Sequence, residues 1–294
     1  ADLHLISSGL TRRLATLPAR YATQSWQTII AVRATTPSAL IVMQPPLPLL
    51  AIGWVLARVR GIRLVVDFHH DPFESPRWRW TLRPSIWIAR RAELAIVTNP
   101  AHARLLEARG VRALILHDAP ADHADRRGDA HAGHVLVPAS YSPDEPLDAI
   151  MTAARSLPDR PFVVTGRVPP RFDLDVPPNV TLTDFVSNEE YERLISSAAA
   201  VCCLTLHENT MQRGGYEALA WHVPLVTSDS AVLRHYFGPA AAYCEPGDGA
   251  SIASAIDDVL TDRPAYGERM AALHHRLVAD YERELEPLRA ALGS

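Results

Sequence analysis

Two histidines directly follow a strand-like run in the first half of the chain. The segment Asp67-Phe68-His69-His70-Asp71-Pro72 comes at the end of the apolar run Arg63–Asp67. Imidazole titrates near neutral pH, so a histidine here could act as a general base, and the neighbouring carboxylates could orient its ring. A polar turn in which Asp71 caps the next helix would need the same residues. A metal site is disfavoured, because adjacent residues rarely point at one ion.

A second polar segment lies between an apolar, strand-like stretch and a helix-like stretch. It is Leu204-Thr205-Leu206-His207-Glu208-Asn209-Thr210-Met211-Gln212-Arg213-Gly214-Gly215. The N–H groups and dipole at a helix start favour an anion such as diphosphate, and glycines allow close approach. Arg213 could donate two hydrogen bonds to phosphate oxygens, and Glu217 could accept hydrogen bonds from a ribose. The alternative is a glycine-permitted tight turn with charges that complement the helix dipole.

The third candidate segment is Val163-Val164-Thr165-Gly166-Arg167-Val168-Pro169-Pro170. Here a strand-like run ends at a glycine and an arginine. Gly166 and Arg167 would fit a phosphate or nucleotide contact, and they would equally fit a simple left-handed turn.

The segment His117–His134 has no periodicity and consists of small and polar residues, which is typical of a linker. It contains four His and four Asp. Their spacings match no zinc signature, so we interpret the segment as a solvated hinge and expect no metal site.

Strand-like and helix-like stretches alternate on both sides of this linker, which predicts an α/β fold. Continuous apolar runs are typical of strands buried on both faces of a parallel sheet. The predicted strands are Leu3–Ile6, Ala39–Met43, Arg63–Asp67, Leu94–Thr98, Arg112–Leu116, Val135–Pro138, Phe162–Thr165, Asn179–Leu182, Ala199–Leu204 and Pro224–Thr227. The predicted helices are Tyr21–Arg33, Pro48–Arg60, Pro76–Ala92, Ala101–Arg109, Asp144–Ser156, Asn188–Ala198, Gly214–Trp221 and Gly249–Leu260.

These elements predict two Rossmann-like domains. The first spans residues 1–117, the linker 118–134 and the second domain 135–263. A helical tail over 264–294, broken near Pro287, is expected to cross back to the first domain. Ligands of open parallel sheets bind beyond the carboxyl ends of the strands, which is where all three candidate segments lie.

The composition excludes several classes of protein. The net charge of −4 argues against a nucleic-acid binder, whose footprint is basic. Three cysteines are too few for a disulfide scaffold, so we expect reduced thiols and a cytoplasmic location. No apolar stretch approaches the roughly 20 residues that cross a bilayer. Every basic residue is Arg, which suggests a bacterium with GC-rich coding. The chain starts at Ala1 and not at Met, which suggests that its N-terminus is processed or truncated.

The stretch Val135–Leu260 resembles the nucleotide-sugar domain of the GT-B glycosyltransferases of family 4. In that family a Glu, seven residues and a second Glu precede Ala-Met-Ala and Gly-x-Pro-Val-Val. The segments Glu217-Ala218-Leu219-Ala220 and Val223-Pro224-Leu225-Val226-Thr227-Ser228-Asp229 match the second half of this motif. In the first domain, Val65-Val66-Asp67-Phe68-His69 resembles the strand that carries the family's active-site His.

The resemblance implies a hexosyltransferase-like enzyme that moves a sugar from a nucleoside-diphosphate sugar to an unknown acceptor, with retention. Polysaccharide, glycolipid or secondary-metabolite synthesis would be its setting. Neither a cofactor nor a metal is implied, because the helix dipole and basic groups stabilise the leaving diphosphate. Implied catalytic residues are His69, His70 and Asp71. Implied donor-binding residues are Gly166, Arg167, Phe185, Val186, Asn209, Thr210, Met211, Gln212, Arg213, Gly214, Gly215 and Glu217.

The sequence also departs from the family. The position of the first motif Glu is Asn209, and Glu208 lies one residue early. The family's basic pair falls near Ala139 or Ser140 and near Glu145, and none of these residues is basic. The chain also starts at what matches the family's second strand, so the first domain is expected to lack its usual first strand. A non-catalytic GT-B homologue acting as a binding or partner subunit is therefore an alternative.

The segment Pro76–Arg91 mixes three Trp with five Arg. It could contact an anionic membrane surface, where glycolipid-synthesising relatives collect lipid-linked acceptors. Trp side chains packed beneath Arg stems are an equal alternative. The charges of the tail, with His274 and His275, are interpreted as a solvated face.

Overall fold

The structure, a computed structural model, describes residues 17–126, 133–170 and 173–293. The chain divides into two compact units. Unit 1 comprises residues 1–117 and 283–294, and unit 2 comprises residues 118–282. The predicted strand Leu3–Ile6 lies outside the described residues.

Unit 1 alternates helices with parallel strands. Its elements are α1 (Leu17–Thr35), β1 (Ala39–Gln44), α2 (Leu47–Arg60), β2 (Arg63–Phe68), α3 (Asp71–Glu74), α4 (Leu82–Ala89), β3 (Leu94–Val97), α5 (Pro100–Glu107) and β4 (Ala113–Ile115). The sheet order is β1-β2-β3-β4, and Val65 of the central β2 pairs with Ile41 and Leu94. The apolar runs of β2 and β3 are buried, as the sequence predicts for strands covered on both faces.

The helix predicted over Pro76–Ala92 is shorter than expected. It consists of a short 3-10 turn, Arg79–Thr81, followed by α4. Pro84 has no backbone N–H, which is tolerated only in the first turn of a helix, where that group has no partner within the helix. The α-helix therefore begins at Leu82, two residues before Pro84.

Unit 2 is built on six parallel strands. Its elements are β5 (Val135–Pro138), α6 (Leu147–Ser156), β6 (Phe162–Thr165), β7 (Val180–Leu182), α7 (Asn188–Ser197), β8 (Ala200–Cys203), α8 (Arg213–Ala220), β9 (Leu225–Ser228), α9 (Ala231–Phe237), β10 (Ala241–Cys244), α10 (Gly249–Thr261) and the greater part of α11 (Arg263–Leu292), whose residues from 283 onward belong to unit 1. The order β10-β9-β8-β5-β6-β7 is doubly wound and reverses direction between β5 and β8. A ligand is expected just beyond the ends of those two strands.

Helices cover both faces of this sheet. Alternate residues of β5 enter two separate cores, Val135 and Val137 in one and Leu136 in the other. Residues of α6 and α10 fill the first core, and those of α7, α8 and α9 fill the second, together with Met270 and Leu273 of α11. The sheet therefore holds the ends of β5 and β8 in fixed positions.

Two sequence predictions for unit 2 and the tail are wrong, and two elements were not predicted. The helix expected from Asp144 begins at Leu147, directly after Pro146. Helix α9 and strand β10 were not predicted. The tail is one helix that runs through Pro287, and the burial of Leu288 and Ala291 beyond it offsets the lost hydrogen bond. The described part of the predicted linker is irregular except for a 3-10 turn over Ala124–Arg126.

Among the described residues, no helix is both long and apolar enough to cross a membrane.

Candidate active site

The loops that follow β5 and β6 lie side by side. Pro138 pairs with Thr165, and the Ala139 N–H donates to the Thr165 carbonyl at 3.2 Å. Gly166 has a φ of +107°, and a Cβ on it would lie 1.8 Å from the Ala139 oxygen. Only glycine can therefore bring these two loops so close together.

Arg167 and Phe185 lie next to each other after β6 and β7. The Arg167 guanidinium is 5.7 Å from the centroid of the Phe185 ring, and that ring is 71% exposed. Asp184 joins the two loops, because its side chain accepts from the N–H groups of Phe185 and Val168 at 2.8 and 3.2 Å. Phe185, a predicted base-contacting residue, is thus beside Arg167, and its exposed ring offers a face on which a base could stack. Val186 is the next residue along the chain.

Asp144, predicted as a helix start, instead holds the loop that follows β8. Its Oδ2 accepts from the Thr205 hydroxyl at 2.8 Å, and its backbone carbonyl accepts from the Leu206 N–H at 2.8 Å. His207 Nδ1 is 3.9 Å from the same carboxylate. Burial would raise the pKa of Asp144, but hydrogen bonds from Ser142 and Thr205 lower it below its usual value. A charged carboxylate thereby fixes the loop at the β5–β8 switch point.

The segment from Glu208 to Gln212 connects this loop to α8. Glu208 Oε1 accepts from the Ala231 N–H at 3.1 Å. This carboxylate therefore offsets the partial positive charge at the N-terminus of α9. Gln212 Nε2 donates to the Leu204 carbonyl at 2.7 Å, and Met211 packs against the second core. Thr210 is 3% exposed, and its buried hydroxyl has no hydrogen-bond partner among the described residues. Asn209 lies between these anchored residues.

The two glycines at the start of α8 are buried. A Cβ on Gly214 would lie 2.8 Å from the Cys203 sulfur, and one on Gly215 would lie 2.9 Å from the Phe237 ring. The N–H groups of both glycines face the Cys203 thiol, whose pKa burial raises to about 12. Close packing of α8 on β8 and α9 is thus one reason for glycine at both positions, besides the ligand approach that the sequence suggested.

Arg213 and Glu217 are one turn apart on α8 and form an ion pair. Arg213 Nε lies 2.7 Å from Glu217 Oε1, and the Tyr191 hydroxyl donates to Glu217 Oε2 at 2.5 Å. Burial, followed by the Glu217 charge, raises the pKa of Tyr191, so its hydroxyl stays protonated and remains a donor. Tyr191 could not be identified from the sequence, because it lies on another helix, 26 residues from Glu217.

A cavity of about 410 Å³ lies in unit 2 against this ion pair. Its wall is formed by residues of the segment that precedes β5, by the first turn of α7, by one face of α8 and by single residues of α9 and α11. They include Asp118, Asn188, Tyr191, Arg213, Glu217 and His274. The volume lies in the range of small-molecule sites, and the wall combines aromatic, cationic and anionic groups.

In unit 1, the predicted catalytic residues follow β2 as expected. The His69 N–H donates to the Gln44 carbonyl at 2.9 Å, and its ring nitrogen Nε2 is 3.7 Å from Asp67 Oδ2. His70 Nε2 is 3.8 Å from Asp71 Oδ1 at the start of α3. The His69 side chain is 47% exposed, so it is accessible for proton transfer.

A buried histidine that the sequence did not single out lies close by. His102 stacks on Phe73 with ring centroids 3.9 Å apart, and its Nε2 is 3.3 Å from Glu74 Oε1. Burial lowers the pKa of His102, although Glu74 opposes this shift. With an exposure of 4%, the ring supports the turn after β2 from within the core.

Comparisons with known proteins agree with this architecture. Residues 134–262 match the family model described as Glycosyl transferases group 1. No curated protein matches the sequence. Among solved structures, HepE of Anabaena, in complex with UDP and glucose, has a TM-score of 0.71 and 14% identity, covering 92% of this chain and 81% of that one. Sucrose-phosphate synthase of Thermosynechococcus elongatus has a TM-score of 0.71 and 17% identity, covering 98% and 83%.

A UDP-forming trehalose-phosphate synthase of Burkholderia xenovorans is also similar, with a TM-score of 0.67 and 14% identity over 97% of this chain and 80% of that one. The chain therefore has the GT-B fold, with two parallel α/β units. Together with the domain match in unit 2, this indicates an enzyme of the glycosyltransferase class.

Proposed function

We propose that this protein transfers a sugar from a nucleoside-diphosphate sugar to an acceptor, with retention of configuration and without a cofactor. The observation that carries the proposal is the Arg213–Glu217–Tyr191 arrangement on the wall of the 410 Å³ cavity at the start of α8. The anionic carboxylate suits ribose hydroxyls, and the exposed guanidinium suits phosphate oxygens. HepE of Anabaena, which is similar in fold, is described in complex with UDP and with UDP-glucose.

The other donor contacts follow from the loops at the same edge of the sheet. We assign the base to Phe185 and Val186, and the phosphates to Gly166, Arg167 and the α8 start. The donor sugar is assigned to the segment Asn209–Gln212, in which the buried Thr210 hydroxyl has no partner among the described residues. His69, with His70 and Asp71, is assigned to catalysis.

The acceptor is proposed to be lipid-linked and reached at a membrane surface. Trp80 is 67% exposed and Trp87 is 45% exposed, within a segment that contains five Arg. Arg91 stacks on Trp87 at 3.9 Å, and Arg77 lies 5.3 Å from the Trp78 ring. Aromatic rings beside guanidinium groups suit the interface of an anionic bilayer. Polysaccharide or glycolipid synthesis on the cytoplasmic face would use such a contact.

A thermal-shift panel of UDP, GDP, ADP, CDP and dTDP tests the donor assignment. A nucleotide at 100 times its dissociation constant should stabilise unit 2 by about 2.7 kcal/mol, and one base should stand out. If no nucleoside diphosphate raises the unfolding temperature at millimolar concentration, the donor site is refuted.

A specific observation favours a second candidate, a non-catalytic binding or partner subunit. Both carboxylate oxygens of Glu145 lie 3.0 Å from the Ser140 N–H, and Glu145 also accepts from the Ser142 N–H at 3.2 Å. A negative charge thus lies after β5, where the family resemblance implies basic residues for the diphosphate. A chain that binds nucleotide but leaves every nucleotide sugar intact would establish this second candidate.

A further inference from the structure

Three metal-binding side chains from distant parts of the sequence meet in unit 2. Asp122 belongs to the segment before β5, His222 follows α8, and His274 lies on α11. One ligand atom from each lies within 4.8 Å of the other two. We propose that these residues form a binding site for a divalent transition-metal ion of the zinc class, separate from the donor-binding residues.

The hydrogen bonding of His274 favours this assignment. The side chain is 1% exposed, and its Nε2 lies 2.9 Å from the Ala121 carbonyl oxygen. A carbonyl only accepts, so Nε2 carries the proton and Nδ1 carries a lone pair. Nδ1 is buried and has no hydrogen-bond partner among the described residues. Metal-bound histidines have this arrangement, in which one ring nitrogen donates to a carbonyl and the other faces the ion.

The other two ligands are held close to this ring. The ring centroids of His222 and His274 are 5.0 Å apart. The Asp122 carboxylate accepts from the Ala124 N–H at 3.0 Å, which keeps it on the inner side of its turn. Ligands of a tetrahedral zinc ion lie about 3.4 Å apart, given zinc–ligand distances of about 2.0–2.1 Å. A side-chain rotation of the exposed Asp122 can bring its carboxylate from within 4.8 Å of the two histidine nitrogens to the shorter ligand–ligand distance that zinc requires.

The chemistry of the donor set selects the kind of ion. Two imidazoles and one carboxylate suit zinc and its neighbours, whereas magnesium and calcium prefer oxygen ligands throughout. Water would complete a tetrahedron. The exposed His275 ring lies 6.1 Å from that of His274, on the next residue of the same helix.

The ion would join the segment before β5 to the end of α8 and to α11. The His123 N–H donates to the Ala220 carbonyl at 2.8 Å, and the His123 ring lies 5.2 Å from the Trp221 ring. Metal bonds to Asp122, His222 and His274 would add to these contacts between the segment, the end of α8 and α11. Because Ala121 and His274 also line the 410 Å³ cavity, the ion would fix one part of its wall.

Zinc titration of the full chain, without an affinity tag that contains histidine, tests the proposal. Calorimetry should show one equivalent of Zn²⁺, and Co²⁺ should give visible absorption typical of a four-coordinate site. Asp122→Asn and His222→Asn should each weaken Zn²⁺ binding by tenfold or more. Both variants suit their positions, since Asp122 is exposed and asparagine tolerates the φ of +50° found at His222.

His235→Asn is the matched control, because His235 is an exposed histidine on α9 in the same unit. It should leave Zn²⁺ affinity unchanged, and circular dichroism should show that all three variants are folded. The proposal is overturned if the wild-type chain binds no stoichiometric zinc. It is equally overturned if the Asp122 and His222 variants bind zinc as tightly as the His235 control. Neither result depends on glycosyl transfer.

Discussion

The Tyr191 hydroxyl donates a 2.5 Å hydrogen bond to Glu217 Oε2, and the opposite oxygen, Oε1, faces Arg213 Nε at 2.7 Å. Both oxygens of Glu217 are thus held in place at the cavity wall. Carboxylate oxygens have about four lone-pair sites, so Glu217 can still accept from ribose hydroxyls while these two contacts persist.

Glu217→Gln should weaken the binding of a ribonucleoside diphosphate by about 10- to 100-fold, the loss of a hydrogen bond to a charged group. The same variant should lose less affinity for the deoxyribose analogue, which lacks one of the hydroxyls. Isothermal calorimetry with both nucleotides measures the difference. Glu189→Gln, an exposed carboxylate on α7 that is not among the residues lining the cavity, is the control and should bind both as the wild type does. Equal losses for the two nucleotides would limit Glu217 to its contacts with Arg213 and Tyr191.

Arg213→Ala should weaken nucleoside-diphosphate binding by about 1.5–3 kcal/mol, because a charged hydrogen bond to phosphate is lost. The nucleoside itself should bind the variant as well as the wild type, since it has no phosphate. Arg193→Ala, an exposed arginine on α7 that pairs with Glu190, serves as the control. An unchanged diphosphate affinity in Arg213→Ala would remove this residue from the donor site.

Stability should fall in mild acid because of His102. Burial lowers the pKa of His102 in the folded protein below the usual 6.5. The unfolded chain therefore binds a proton more readily, and the free energy of unfolding decreases as the pH falls below 6.5. Urea unfolding at pH 7.5 and 5.5 should show a smaller loss in His102→Gln than in the wild type. His235→Gln, an exposed control, should lose as much as the wild type; an unchanged pH dependence in His102→Gln would contradict this account.

Membrane contact should depend on the exposed tryptophan of the Arg-rich segment. Trp80→Ser should reduce co-sedimentation with vesicles rich in anionic lipid several-fold, because the indole loses its place at the interface. Trp26→Ser is the matched control, since Trp26 is 62% exposed on α1 and lies outside that segment. Binding that is equally weak for wild type and variant, or that is insensitive to anionic lipid, would reject the membrane contact.

The strands were the most predictable part of the fold. Val135–Pro138 and Phe162–Thr165 agree with the structure at both ends, because each is a short apolar run bounded by polar or turn residues. In contrast, β10 is formed by Ala-Ala-Tyr-Cys, which lacks β-branched residues, and α9 has only seven residues. Both elements depend on burial against the rest of unit 2, which a local pattern does not show.

The sequence indicates the loops of the candidate site, but it does not indicate the side-chain contacts that hold these loops in place. The loop after β8 was identified from its polar residues and glycines. The roles of Asp144 and Tyr191 depend on partners 61 and 26 residues away, so spacing could not reveal them. The cluster of Asp122, His222 and His274 was hidden for the same reason. The interpretation of His274 as part of a solvated face is wrong, because its side chain is 1% exposed, whereas His275 is exposed as expected.

Enzymatic sugar transfer is the central claim, and His69 provides its most direct test. The purified wild-type chain, given the nucleotide sugar whose base stands out in the thermal-shift panel, should release nucleoside diphosphate, with water or a lipid-linked sugar as acceptor. His69→Ala should lower this turnover by about 10²- to 10⁴-fold and leave nucleotide affinity nearly unchanged, whereas His235→Ala should retain full turnover. Turnover that survives His69→Ala would contradict the catalytic assignment, and a wild-type chain that binds the donor without consuming it would contradict the enzyme itself.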